Sequence, residues 1–169
     1  MALSATTAFR NNTSITTVSL PVVEAIGNQN FFNLASLVTV DIQGHCVIGN
    51  GNFQGFDAAN RNTLLSVIAP NAISVGQDFC RDQFSLEIID LRSAISTGSI
   101  FAYKNFSLLQ LRLDSMENLG PTQQRDSNFE QINPLAQITV PLALQTSNNG
   151  SEEGDIAYAR GLGCTINYI

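Results

Sequence analysis

Apolar and polar residues alternate with a period of two in segment after segment of this chain, the signature of strands with one buried face. In SLLQLRLD, Leu109, Leu111 and Leu113 fall on one side, and Gln110, Arg112 and Asp114 on the other. QITVPLALQ repeats the pattern with Ile138, Val140, Leu142 and Leu144, and its Pro141 marks an edge strand or a bulge. LVTVDIQ sets Val38, Val40 and Ile42 against Thr39, Asp41 and Gln43, and FSLEIIDL begins with Phe84, Leu86 and Ile88 on one face. IAYARGLGCTINYI alternates too, and its glycines predict a bulge or a close backbone approach. With TSITTVSL, TLLSVIA and IFAYKNF, about eight strands are expected.

Turn clusters rather than helices lie between these segments. STGS at 96–99 reads as a hairpin link, SNNGSEEGD at 147–155 as a longer loop, and 117–134 as a surface excursion. Short strands with one apolar face each need a second sheet, or closure, to bury that face. The predicted fold is therefore all-β: an antiparallel β-sandwich of jelly-roll type, with a closed β-barrel as the alternative. No internal repeat is evident, which argues against propellers and solenoids. Residues 1–20 are assigned to an N-terminal arm or first strand, and 21–169 to a single β-sandwich domain; a length of 169 residues suits one core.

Composition adds a surface to this picture. Charged residues make up only 13% of the chain, about half the usual share, so Asn, Gln, Ser and Thr must cover much of the exterior. Such a neutral polar coat repels copies of itself weakly. The net charge of −6, with arginines scattered from Arg10 to Arg160 and Lys104 the only lysine, argues against nucleic-acid binding. No apolar run approaches the roughly 18 residues of a membrane span, and no classical signal peptide is visible. Cys46, Cys80 and Cys164 are too widely spaced for a zinc motif and read as small buried hydrophobes.

Candidate chemistry is thin. GHCVIGNGNFQG at 44–55 carries the glycine spacing of a phosphate-binding loop, but the chain lacks the βαβ rhythm that such a loop requires. A metal held by His45 and Cys46 with Cys80 or Cys164, near Asp78 and Asp82, lacks the paired ligands two to four residues apart of a zinc site. As adjacent strand residues, His45 and Cys46 point to opposite faces, which defeats a base–nucleophile pair. No G-x-S-x-G elbow is present, and Glu87 and Asp114 occupy polar-side positions where carboxylates are solvated. SEEGD lacks the ligand spacing of a calcium loop. No catalytic, cofactor or metal residues are assigned, and the chain is read as not an enzyme.

What remains is contact. The small, β-prone N-terminal segment with Ile15, Val18 and Leu20 suits either a home strand or an arm that adds a strand to a neighbour. Phe53 and Phe56 sit in a glycine- and asparagine-rich loop where a neighbour can dock. These five residues are the candidate assembly contacts. The expected function is a self-assembling structural subunit, such as a virus or phage coat or spike protein or an extracellular filament subunit, whose partners are copies of itself. It would be located in a virion or an extracellular assembly. The alternative is a lectin-like module binding carbohydrate or another ligand, with Phe53, Phe56, Tyr103 and Phe129 substituting for the missing tryptophan.

Overall fold

The alternating segments do form strands, but in the computed structural model every strand pair is parallel. The structure describes residues 2–3, 6–55, 62–120, 127–147 and 153–169. Strands are numbered in chain order. One sheet of seven holds β2 (Thr17–Leu20), β4 (Thr39–Ile42), β6 (Ser66–Ile68), β8 (Ile88–Asp90), β10 (Gln110–Arg112), β11 (Gln137–Val140) and β12 (Thr165–Tyr168), side by side in that sequence. A second sheet of five holds β1 (Ala2–Leu3), β3 (Ala25–Ile26), β5 (Val47–Ile48), β7 (Ser74–Val75) and β9 (Ser96–Thr97). Among the described residues one α-helix, α1 (Gly154–Leu162), precedes β12. The molecule is an α/β stack of coils in which each coil passes from the large sheet to the small one, through a turn-rich third face, and back one layer further on.

This overturns the expected antiparallel β-sandwich of jelly-roll type, and with it the closed barrel and the exclusion of solenoids. The part of the coat-protein expectation that rested on analogy with the jelly roll falls with it. Period-two alternation reports only that one face of a strand is buried; it carries no information on strand direction. Parallel sheets usually bury both faces, but here the coil closes on itself, so the large sheet keeps an outer face. Two segments read as strands are something else: IAYARGL lies in α1, and IFAYKNF belongs to the third face. STGS is not a hairpin link either, since β9 pairs in parallel with β7. Beyond β11, Leu142–Gln145 form a 3-10 turn introduced by Pro141.

Register repeats from coil to coil. Val18, Val40, Val67, Ile89, Leu111 and Ile138 stand opposite one another along the large sheet, all buried. Ile26, Ile48 and Val75 form the matching row of the small sheet. Gly49, Gly76, Gly98 and Gly120 recur just after the small-sheet strands or at the matching place, because a Cβ at any of them would come closer than 3.0 Å to atoms of the preceding coil, mostly backbone. That sets the stacking distance.

The third face is not a strand because its backbone turns left-handed at one or two places in each coil. Thr7, Gln29, Gly51, Asp78 and Ile100 hold one such column, and Asn11, Asn33, Asp82, Lys104 and Gln131 another, all near φ +60°. Alternating handedness places N–H groups on one side of the chain and carbonyls on the other. Thr7, Phe9 and Asn11 thus donate to the carbonyls of Asn28, Asn30 and Phe32, and Gly51, Phe53 and Gly55 donate to Gln77, Phe79 and Arg81, always from one coil to the next.

Two adjacent core columns line this face and exchange volume. One reads Asn30, Asn52, Phe79, Phe101, Asn128; the other, one residue on, reads Phe31, Phe53, Cys80, Ala102, Phe129, and all ten are buried. Where the first column swaps Asn for Phe, the second shrinks from Phe to Cys or Ala. Phe9, Phe31 and Phe53 stack with nearly parallel rings at 5.5 Å, whereas the switches at Phe53–Phe79 and Phe101–Phe129 are edge-on at 5.3 and 5.7 Å. Dense cores tolerate such changes only when total volume is kept.

Candidate functional site

The two ends of the stack are finished differently. At the tail, the asparagine column is completed by a carboxylate. Asn52 accepts from the backbone N–H of Asn30, and Asn128 from that of Phe101, through their side-chain oxygens. Asp155, in the first turn of α1, does the same for the backbone N–H of Asn128 at 3.1 Å. It also accepts from the Asn128 side-chain amide at 2.7 Å and from the Ser127 hydroxyl at 2.5 Å, while only 1% exposed. Glu153 caps the helix, accepting from the N–H groups of Asp155 and Ile156, and Gly163 at φ 110° ends it. Burial pushes the Glu153 carboxyl above its ordinary value, and the neighbouring Asp155 charge adds to this, while bonds from backbone N–H groups pull it back.

At the head, no further coil covers the stack among the described residues. A groove of about 480 Å³ exposes the end of the core between β1, β2 and the third face, walled by Leu3, Ile15, Val18, Leu20, Val23 and Phe31. Val22, on its rim, is 74% exposed and Phe9 40%. Among the described residues β2 pairs with β4 on one side and with no strand on the other. The carbonyls of Thr6, Ala8 and Arg10, placed like those of Asn28, Asn30 and Phe32, receive no backbone N–H among the described residues.

Of the five predicted contacts, Ile15, Val18 and Leu20 line this groove together. Their segment pairs within its own chain, β1 against β3 and β2 against β4. Phe53 lies wholly in the core between Phe31 and Phe79 and reaches no surface. Phe56 falls outside the described residues. Phe129 is likewise buried, and the Tyr103 ring has the cations of Arg81 and Lys104 over it, at 5.2 and 5.0 Å. Sequence reasoning missed Leu3, Phe9, Val22 and Phe31 at the head, and Asp155 at the tail. A signal existed: IGNQNF at 26–31 recurs as IGNGNF at 48–53.

The outer face of the large sheet carries a cluster of paired charges. Asp90 on β8 stands beside Arg112 on β10; Arg92 pairs with Asp90, and Arg112 with Asp114. Opposite charges alternate around this square, and the Asp90 carboxylate, helped by Asp114, holds the Arg92 guanidinium above its ordinary pKa.

His45 is exposed while Cys46 is buried, so the two do face apart. All three cysteines are buried free thiols, with pKa values raised chiefly by that burial. Among the described residues, no group of three His, Cys, Asp or Glu side chains is placed to hold a metal, and no helix is long and apolar enough to cross a membrane. No protein-family model matches the chain, and no curated protein or solved structure does so either.

Proposed function

We propose that this chain is a structural subunit that assembles with copies of itself end-on, through the open head of its coil stack. The observation that carries this reading is the unequal finish of the two ends. Helix α1 and the Asp155 carboxylate close the third face at the tail, whereas the head leaves its third-face carbonyls and an apolar groove uncovered among the described residues; the large sheet itself ends in a terminal strand at both ends. Apolar surface in contact with water is costly at about 25 cal/mol per Å², and a bare parallel edge is a template for another strand. The role therefore belongs to surfaces and calls for no reaction centre. Sedimentation velocity over a concentration series tests it. The mass should rise with concentration, and Val22→Asp should hold the chain at the monomer mass. A chain that stays monomeric at about 0.1 mM, a concentration at which contacts worth about 5.5 kcal/mol are half formed, would sink the proposal.

A second reading, a ligand-binding module, is favoured by the charge square on the outer face of the large sheet. Its aromatic component is weak, because Phe53 and Phe129 are buried. Arg112→Ala should then reduce ligand capture without altering the sedimentation series.

A further inference from the structure

We infer that assembly runs head to tail, with the β2 edge of one copy laid parallel against the β12 edge of the next, so that the seven-stranded sheet continues across the interface. This rests on the end-on assembly proposed above and adds its direction. The occupant of the head groove is then the tail of a second copy.

Three features point to that occupant. Both terminal strands of the large sheet span four residues and run in the same direction, so simple translation along the stack extends the parallel ladder without a new kind of pairing. Both ends are apolar in matching places. Val18 and Leu20 face the head groove, while at the tail Ile166 and Tyr168 are only partly buried against the core, beside Leu142 and Ile169, exposed to 58% and 62%. The Leu142 N–H donates to the Ile169 carbonyl, which places those two side by side at the tail.

The third feature is polarity. The head ends the third-face row in the carbonyls of Thr6, Ala8 and Arg10, the electronegative end of an aligned series of peptide groups. Translation brings that row over α1, which occupies the third face at the tail. The only charged side chain exposed on α1 is Arg160, a cation. A contact of this kind is heterologous, and repeated without closure it builds a filament.

The test uses two blocked forms of the whole chain. A head-blocked variant carries Val22→Asp and Phe9→Asp, and a tail-blocked variant carries Leu142→Asp and Ile169→Asp. All four positions are at least 40% exposed, so the fold should persist, and far-UV circular dichroism checks this. Val22→Lys and Leu142→Lys serve as replacements for any form that unfolds. By light scattering coupled to size exclusion, each blocked variant alone should be a monomer of 18.2 kDa. Their equimolar mixture should yield a one-to-one dimer at twice that mass and nothing larger. A tail-blocked variant that dimerises alone would mean head-to-head pairing and overturn the direction while leaving assembly through the head standing, whereas a head-blocked variant that dimerises alone would mean tail-to-tail pairing and overturn both proposals. An unmodified chain that never associates would overturn both proposals together.

Discussion

Asp155 and Asn128 are joined twice: the carboxylate accepts both the backbone N–H of Asn128, at 3.1 Å, and its side-chain amide, at 2.7 Å. This is the junction between the last regular coil and the closing helix. Asp155→Ala leaves the buried backbone N–H of Asn128 without an acceptor, at about 1–3 kcal/mol for an unsatisfied group. It also removes one acceptor from the Asn128 amide, which keeps the Gly120 carbonyl, and from the half-buried Ser127 hydroxyl. A net loss of about 2–4 kcal/mol is expected in urea unfolding. Asp155→Asn restores the group used at Asn52 and should recover about half of it.

The cap of the same helix predicts a pH effect. Glu153 has a folded pKa above its ordinary value of 4.5, chiefly because burial disfavours the charged form. A carboxyl raised on folding favours the native state in acid, and that contribution is lost as pH rises from 4.5 through the raised value. Thermal melts at pH 4, 5, 6 and 7 should therefore show the native protein losing melting temperature relative to Glu153→Gln as pH increases. An identical pH profile for the two proteins would refute this.

The paired core columns predict a strong non-additivity. Ala102→Phe alone overpacks a filled layer, at about 1–3 kcal/mol or more. Phe101→Asn alone leaves a cavity, at about 3–5 kcal/mol. Combining them recreates the Asn–Phe pair found at 30–31, 52–53 and 128–129. The double variant should be more stable than either single one by urea titration, with a coupling energy of at least about 2 kcal/mol.

Glycines of this chain should divide by position. Gly98→Ala drives a methyl group into the backbone at Gln77 and Gly76 and is expected to cost about 3 kcal/mol. Gly161 on α1 has nothing within 4 Å of an added Cβ, so Gly161→Ala should stabilise by roughly 0.5–1 kcal/mol. Melting temperatures of the two variants, moving in opposite directions, would check both.

Much of the local pattern was legible in the sequence, and the topology was not, for identifiable reasons. The strands at Thr39–Ile42, Ser66–Ile68 and Gln137–Val140 lie where alternation placed them. Their parallel direction left no mark, because a coil's single buried face produces the same alternation as a hairpin's. The repeat was hidden by uneven steps: Val18 to Val40 is 22 residues, Val40 to Val67 is 27, then 22 and 22 again to Ile89 and Leu111. The swap from Asn–Phe to Phe–Cys and Phe–Ala removed the second cue, since neither column keeps one residue type. α1 escaped notice because Ile156, Ala159 and Leu162 fit a helical spacing only if Tyr158 is allowed to face outward. At the head, Ile15, Val18 and Leu20 were found from their apolar spacing. Val22 and Phe9 were not, because exposure depends on there being no coil above them among the described residues.

The one-residue-deep exchange of N–H groups along the third face has a consequence for how the molecule comes apart. Each layer is tied only to the layer above and the layer below, so stability is roughly a sum of neighbouring pairs and no single nucleus governs the whole. Among the described residues the first coil has one neighbour, and the last is clamped by the buried Asp155 carboxylate. On heating, disorder should enter at the first layer and advance as a front towards the helix. Hydrogen exchange would record it as protection rising steadily from Val18 to Ile138.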